Sequence, residues 1–342
     1  MLERSLLLDH PLLHVHEPLL VTRAATPSAS APHHPALVPW CRIVQDRGRF
    51  LIEHAGTLVT FEGAAGAPRR PRLLPLLDGT RTAAELARTL GGPSIAPAIE
   101  NALGLLAEHQ LLLEGPRADD GPAGLAATYA ASVTRIATAP DAEHALERAH
   151  VSVLGAGAMA DELARQLAQA GIASVESLPL EAEPETGSFV VAAPEHEELP
   201  TLRRLNDRAL GCGDPWLQAL PYDGRFVVAG PVFVPRVSGC RACFTTRRAA
   251  ASGYDDDFDL VDRVQRRPAS PAILVTIAAA LTTVIAVRWL TAADATLPGR
   301  FYALEAGTVV RLRFDRLLRV PRCHACGPHD RAVPSPWFEA AA

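Results

Sequence analysis

The chain has 342 residues, 48% hydrophobic and 21% charged, enough apolar material for two cores, and its 33 basic and 38 acidic side chains leave a net charge of -5. That balance excludes a general nucleic-acid binder, which needs a concentrated basic surface. Six cysteines in so long a chain exclude a dense disulfide framework, and 29 prolines with 24 glycines imply long irregular connections around the folded parts.

The first twenty residues contain no uninterrupted signal-like core, because Asp9, His10 and Pro11 break it early, so export is not predicted and a cytoplasmic location is expected. Residues 1–45 form an extension of uncertain structure in which Pro27 to Pro39 reads as a loop. Order is expected from near Phe50. Phe50–Glu53 and Thr57–Phe61 are short β-prone segments joined around Gly56, and a hairpin is the simplest reading. An apolar cluster, Leu73, Leu74, Leu76 and Leu77, ends at the turn signal Asp78-Gly79. Thr82 followed by Glu85 has the spacing of a capping box opening a helix to about Leu90. Ile95, Ile99, Leu103 and Leu106 then recur at helical spacing, and Leu111–Leu113 reads as a closing strand.

Ala118 to Pro140 reads as a small-residue linker containing one helix. Beyond it, the strand-like His150–Leu154 runs into Gly155-Ala156-Gly157 and a helix-like segment from Asp161 to Gly171. Strand, glycine turn and helix open a Rossmann-type unit, with Ala160 allowing close helix packing. After the next strand, Ala173–Glu176, Glu176 and Glu181 are the only nearby acids to hold a ribose, so the loop of Gly155, Gly157 and Ala160 reads as a vestigial nucleotide loop. Ser188–Pro194 reads as a buried parallel strand.

Cys240-Arg241-Ala242-Cys243 and Cys323-His324-Ala325-Cys326 each place two thiolates three positions apart. Four thiolates complete a tetrahedral zinc shell with no open position, so Cys240, Cys243, Cys323 and Cys326 are expected to bind one structural Zn2+. Redox disulfides and iron-sulfur ligation are the competing readings. His324 reads as a neighbour of the metal, and Cys41 and Cys212 as core or loosely placed thiols. Between the pairs, Asp255, Asp256, Asp257 and Asp259 read as a solvated acidic loop. The apolar run from Pro271 reads as a buried helix to Leu290, because it is short for a membrane span and Arg288 interrupts it. Phe301–Leu304 and Val309–Phe314 read as a final hairpin.

Two resemblances join these elements. RLLPLLDGTRTAAELARTL with AIENALGLLAEHQLLLEG resembles the PqqD-like, winged-helix recognition domain for ribosomally made precursor peptides. In that family a leader peptide adds as a strand to the sheet edge and packs against the third helix, which implies peptide contacts at Leu58, Phe61, Ile99, Leu103 and Leu106. Those apolar faces also serve a core, and a purely structural or DNA-binding winged domain competes with this reading, although a basic recognition helix is missing. VSVLGAGAMADELARQLAQAGI, FVVAAPEHEELPTLRRLNDRALGCGDPWLQAL, CRACF and RCHAC follow the order of the ThiF and ubiquitin-activating E1-like superfamily. Active members adenylate a peptide carboxylate with ATP and Mg2+. Here the acid and arginine expected after the second strand are missing, and Pro194 stands where a magnesium-binding aspartate is expected, with Glu195 and Glu197 as imperfect substitutes. That departure makes ATP and Mg2+ unlikely in this chain.

The expected fold class is α/β: a winged-helix PqqD-like recognition domain (46–115), a linker (116–145), and a Rossmann-like E1/ThiF-type domain with the four-cysteine zinc site (146–330), followed by a tail (331–342). The combination resembles the Ocin-ThiF-like or cyclodehydratase C-type proteins of thiazole/oxazole-modified peptide biosynthesis. It implies a non-catalytic component that binds a precursor leader and delivers it to a YcaO-type cyclodehydratase, with a homodimer plausible and no nucleic-acid or membrane partner. The alternatives are an ATP-dependent adenylating E1-like enzyme acting on a peptide or carrier-protein carboxylate, and a structural subunit of a modification complex.

Overall fold

The computed structural model describes residues 13–16, 31–46, 49–61, 73–195, 199–254, 257–258, 260–261 and 269–327. The chain divides into two compact units, one ending at Glu143 and the other beginning at His144.

In the first unit, β1 (Leu13–His16), β2 (Pro35–Leu37), β3 (Arg42–Asp46), β4 (Arg49–His54) and β5 (Thr57–Phe61) precede the helices. One sheet has the order β1-β5-β4-β3. The expected hairpin is β4–β5, with Phe50 opposite Phe61 and His54 opposite Thr57. Ala55 and Gly56 turn it with φ of 50° and 80°, the paired positive values whose twist matches that of the strands. A short 3-10 turn at Leu74–Leu76 leads to α1 (Ala83–Leu90), α2 (Ala96–Glu108), β6 (Leu112–Glu114) and α3 (Pro122–Thr134). The capping box forms at α1: Thr82 Oγ1 accepts from the Glu85 amide at 3.3 Å, and Glu85 Oε2 accepts from the Thr82 amide at 2.9 Å. Leu37, Ile52, Val59, Leu77, Leu86, Leu103, Leu106 and Leu112 build the core, drawing on β2, β4, β5, the turn, α1, α2 and β6.

Two stretches are more regular than their sequence suggests. β2 and β3 lie within the segment read as an extension, and residues 116–145 carry α3 and the start of α4 (Ala139–Glu147). Pro35 and Ala36 have little preference for strand. What makes them one is pairing with Glu114 and Leu113 of β6, a contact about eighty residues away that no local pattern announces.

The second unit is a three-layer α/β body. Its sheet has the order β13-β12-β11-β10-β9-β7-β8, from β7 (His150–Gly155), β8 (Ser174–Leu178), β9 (Phe189–Ala193), β10 (Trp216–Leu220), β11 (Phe226–Phe233), β12 (Arg300–Ala306) and β13 (Val310–Arg316). β8, β7, β9 and β10 run parallel, and β11 to β13 are added antiparallel. β9 and β10 are buried at every position, as strands covered on both faces must be. α5 (Ala158–Gln169) and α8 (Ala272–Ala292) pack together on one face of the sheet, with α8 lying on β10 and β11. α6 (Leu199–Cys212) and α7 (Arg241–Ser252) cover the other face, where Leu202, Leu205 and Phe244 meet Leu154, Val190 and Trp216.

α8 is long and apolar enough to cross a membrane by length and composition. In this fold it buries Val275, Ala278, Ala279, Thr282, Ile285 and Ala286, the helical stripe that meets the body. Its end is fixed by Arg288, whose Nε donates to Asp294 Oδ2 at 3.0 Å. Burial works against the Asp294 carboxylate, but hydrogen bonds from Thr296 and the Arg288 guanidinium outweigh it and hold the carboxyl below its ordinary range.

Candidate metal centre and nucleotide edge

Cys240 is the residue before α7 and Cys243 lies in its first turn, while Cys323 and Cys326 follow β13. The fold brings the two pairs together across eighty-odd residues. Sγ separations are 3.9 Å for Cys240–Cys243, 3.8 Å for Cys240–Cys323 and 3.6 Å for Cys243–Cys326, and all four sulfurs lie within 4.8 Å of one another. A tetrahedral zinc with sulfur at about 2.3 Å requires edges of about 3.8 Å, so the cluster has the dimensions of a zinc-tetrathiolate site. Cys240, Cys243 and Cys323 are buried and Cys326 is half-buried, and four thiolates around one zinc leave no open position for substrate.

The thiols are prepared for the metal. A hydrogen bond from Cys240 Sγ draws Cys243 down to about 4 against the opposing effect of burial, and the Val320 N–H adds to it at 3.3 Å. The same thiol pair and burial push Cys240 well above its ordinary value, and burial raises Cys326 to about 11. Zinc is bound by thiolates, so entry of the metal releases protons and its affinity depends on pH. His324 is exposed, as expected of a neighbour and not a ligand. Cys41 is half-buried and Cys212 exposed, and neither joins the cluster. Beside the knuckle, a cavity of about 750 Å³ opens between α6 and α7, lined by Arg203, Asn206, Asp207, Thr245 and His324 among others.

A second arrangement lies where the sheet reverses direction of growth. From β7 the chain passes to β8 on one side and then to β9 on the other, so the crevice between the carboxyl ends of β7 and β9 is the topological switch point of the sheet. Gly155 pairs with Ala193 there. A Cβ on Gly155 would lie 2.0 Å from the Ala193 carbonyl oxygen, so only glycine permits this approach. Gly157 takes φ of 78° and leads directly into α5, whose free amides and dipole face the crevice. A Cβ at Gly157 would sit 3.1 Å from the carboxyl carbon of Glu195, so this carboxylate stands against the turn although it follows Pro194 instead of occupying the expected place. On the same sheet, Gln218 of β10 is wholly buried opposite Ala192 of β9, and neither its side-chain oxygen nor its nitrogen has a partner among the described residues. A glycine cradle, a helix amino end and one carboxylate fit a nucleotide phosphate with its divalent ion. Glu195 is the residue that would hold the ion.

The remaining predicted positions are distributed differently. Ile99, Leu103 and Leu106 are buried in the core of the first unit, and Leu58 is half-buried on β5. Phe61 pairs through its backbone with Phe50 on one side and Leu13 on the other. Glu197, Asp255, Asp256 and Asp259 lie outside the described residues.

No protein-family model and no curated protein matches this sequence. Solved structures do. A heterocyclase in complex with substrate and cofactor matches with a TM-score of 0.62 and 20% identity, over 86% of this chain and 39% of its own. The heterocyclase TruD matches with a TM-score of 0.60 and 20% identity, over 86% and 43%. E. coli MccB with AMPCPP and MccA matches with a TM-score of 0.61 and 16% identity, over 86% of this chain and 99% of MccB. The chain therefore spans about two fifths of the heterocyclases and nearly the whole of MccB. At these identities the likeness is one of fold. The second unit has the E1/ThiF-type Rossmann fold, with a four-cysteine zinc site built into it.

The expectation that ATP and Mg2+ are unlikely does not stand, because a protein of this fold, matched along its whole length, was solved with an ATP analogue. That expectation weighs missing side chains. The physical reason it fails is that a phosphate cradle is made chiefly of backbone amides and glycines, which this chain keeps.

Proposed function

We propose that this chain is a peptide-modifying E1-like protein that binds MgATP at the Gly155–Gly157 turn and adenylates a carboxyl group of a peptide substrate. In that reaction a carboxylate oxygen attacks the α-phosphorus, the bond to the β-phosphate breaks, and pyrophosphate leaves as an acyl adenylate forms. Mg2+ would neutralise phosphate charge beside Glu195. The amino end of α5 accepts the phosphates, and the tight Gly155–Ala193 approach fixes where they lie. The zinc site takes no part in bond making: it holds the residues after β13 to the start of α7. The observation that carries this reading is the glycine turn at the switch point with the Glu195 carboxylate against it, in a fold that it shares with MccB, which was solved with AMPCPP and MccA.

Pyrophosphate exchange into ATP, measured with zinc-loaded protein and peptides encoded beside its gene, tests it. Peptide-dependent exchange that Gly157→Val abolishes supports adenylation. No exchange and no binding of a fluorescent ATP analogue in the presence of Mg2+ would sink it.

The likeness to the heterocyclases favours a second reading, because more than half of each of those chains lies outside the match. In it the first unit is a PqqD-like module that captures the leader of a precursor peptide, and the chain delivers that peptide to a separate YcaO-type enzyme for azoline formation. Tethering would raise the effective concentration of the peptide near that enzyme. Co-purification with such a partner, together with leader binding indifferent to ATP, would favour delivery.

A further inference from the structure

We infer that His33, His34 and Glu114 form a second zinc site, made of nitrogen and oxygen donors, that clasps the start of β2 to the end of β6. It lies in the first unit and rests on neither the four cysteines nor the adenylation reading. The pairing of the two strands puts Pro35 opposite Glu114, and the Gly115 amide donates to the His34 carbonyl at 2.8 Å, so the two histidines run beside the end of β6. The backbone also aims the carboxylate. Glu114 Oε2 accepts from the His33 amide at 2.6 Å and Oε1 from the His34 amide at 2.9 Å, which holds the group beside both rings as supporting hydrogen bonds hold the ligands of metal sites.

The donor atoms converge on His34. Its Nδ1 lies 3.1 Å from His33 Nδ1, with the ring planes 75° apart, and 3.5 Å from Glu114 Oε1. Nitrogen and oxygen ligands at about 2.0–2.1 Å from zinc stand about 3.0–3.4 Å apart at octahedral to tetrahedral angles, so both separations match a coordination edge to about 0.1 Å. Two neutral ring nitrogens this close share one proton. An arriving cation takes its place, and that proton is taken up at the outer nitrogen of the same ring. His33 is exposed, and turning its ring closes the third edge, toward Glu114. Two imidazoles and one carboxylate select Zn2+ over Mg2+ or Ca2+, which take oxygen ligands. Three protein ligands leave a position for water, and the surface setting makes the ion exchangeable: desalting removes it, while the four-cysteine centre keeps its own. Leu37 of β2 and Leu112 of β6 belong to the core of the first unit, so an ion bound at this clasp stabilises that unit by mass action.

The test is calorimetric titration of Zn2+, and separately of Mg2+, into the desalted full chain carrying one zinc at its cysteines. One further equivalent of Zn2+ is expected to bind, with no heat from Mg2+. His33→Ala and His34→Ala should each weaken that step at least tenfold, and His54→Ala should leave it unchanged. Co2+ added in place of the second zinc should give weak d–d absorption without sulfur-to-cobalt charge transfer. Urea unfolding without added metal should superimpose for parent and variants, because the substituted rings lie at the surface, and saturating zinc should raise the midpoint of the parent alone. The absence of a further equivalent overturns the inference. So does one that both variants retain at parental affinity, or one with sulfur charge transfer, which would put the ion at Cys41 or Cys212.

Discussion

The zinc centre and the nucleotide edge occupy the same body but are made of different material. The zinc centre consists of four side chains of one type, each supplying a ligand that no other part of the chain replaces. The candidate nucleotide edge consists mainly of backbone: two glycines, a strand carbonyl in close approach and the first amides of a helix, with the Glu195 carboxylate against Gly157. A side-chain site disappears when its residues do. A backbone site survives the loss of neighbouring charges, which is why counting missing acids and arginines misjudges it.

The largest expected effect breaks the comparison on the zinc side. Cys323→Ser is expected to abolish stoichiometric zinc, read by elemental analysis, and with it most of the metal's contribution to folding, which is on the order of 10 kcal/mol for structural zinc near neutral pH. A zinc-free variant that melts with the parent would refute the structural role.

Asp294 provides a control that belongs to neither site. Its pair with Arg288 is buried, so Asp294→Asn is expected to cost about 3 kcal/mol by leaving the arginine without its counter-charge. Because the folded carboxyl is held below its ordinary value, its contribution is present above the unfolded pKa of about 3.9 and fades as pH falls through the folded value. Chemical denaturation from pH 7 to pH 3 should show parent and variant converging at the acid end.

At the nucleotide edge the order of effects is inverted relative to a side-chain site. Gly157→Val strains a positive φ and pushes a side chain toward Glu195, and is expected to weaken ATP binding at least tenfold, about 1.4 kcal/mol, with zinc content unchanged. Glu195→Gln should weaken binding less, and most visibly as a raised Mg2+ requirement in titrations. If Glu195→Gln proved the more damaging of the two, the edge would be a side-chain site after all.

The smallest effect lies in the first unit. Thr82→Ala removes one half of the α1 capping box and is expected to cost about 1 kcal/mol, measured by urea denaturation, without touching zinc or ATP.

Local chemistry determined much of this protein. The two cysteine pairs, the capping box at Thr82 and Glu85, the hairpin strands β4 and β5, the strand–glycine–helix opening at β7 and α5, and the hairpin β12–β13 all follow from spacing and residue type. Their signals are local because each rests on a turn, a cap, a periodicity or a fixed ligand chemistry. Tertiary structure decided the rest. It made a strand of Pro35–Leu37 by pairing it with β6, laid the largely apolar α8 against α5 and the sheet, and put Ile99, Leu103 and Leu106 into a core that their periodicity alone does not assign. It also set the Glu195 carboxylate against Gly157 across nearly forty residues of chain. Long-range pairing and backbone approach depend on which segments meet, and that is a property of the folded chain that no single stretch of sequence carries.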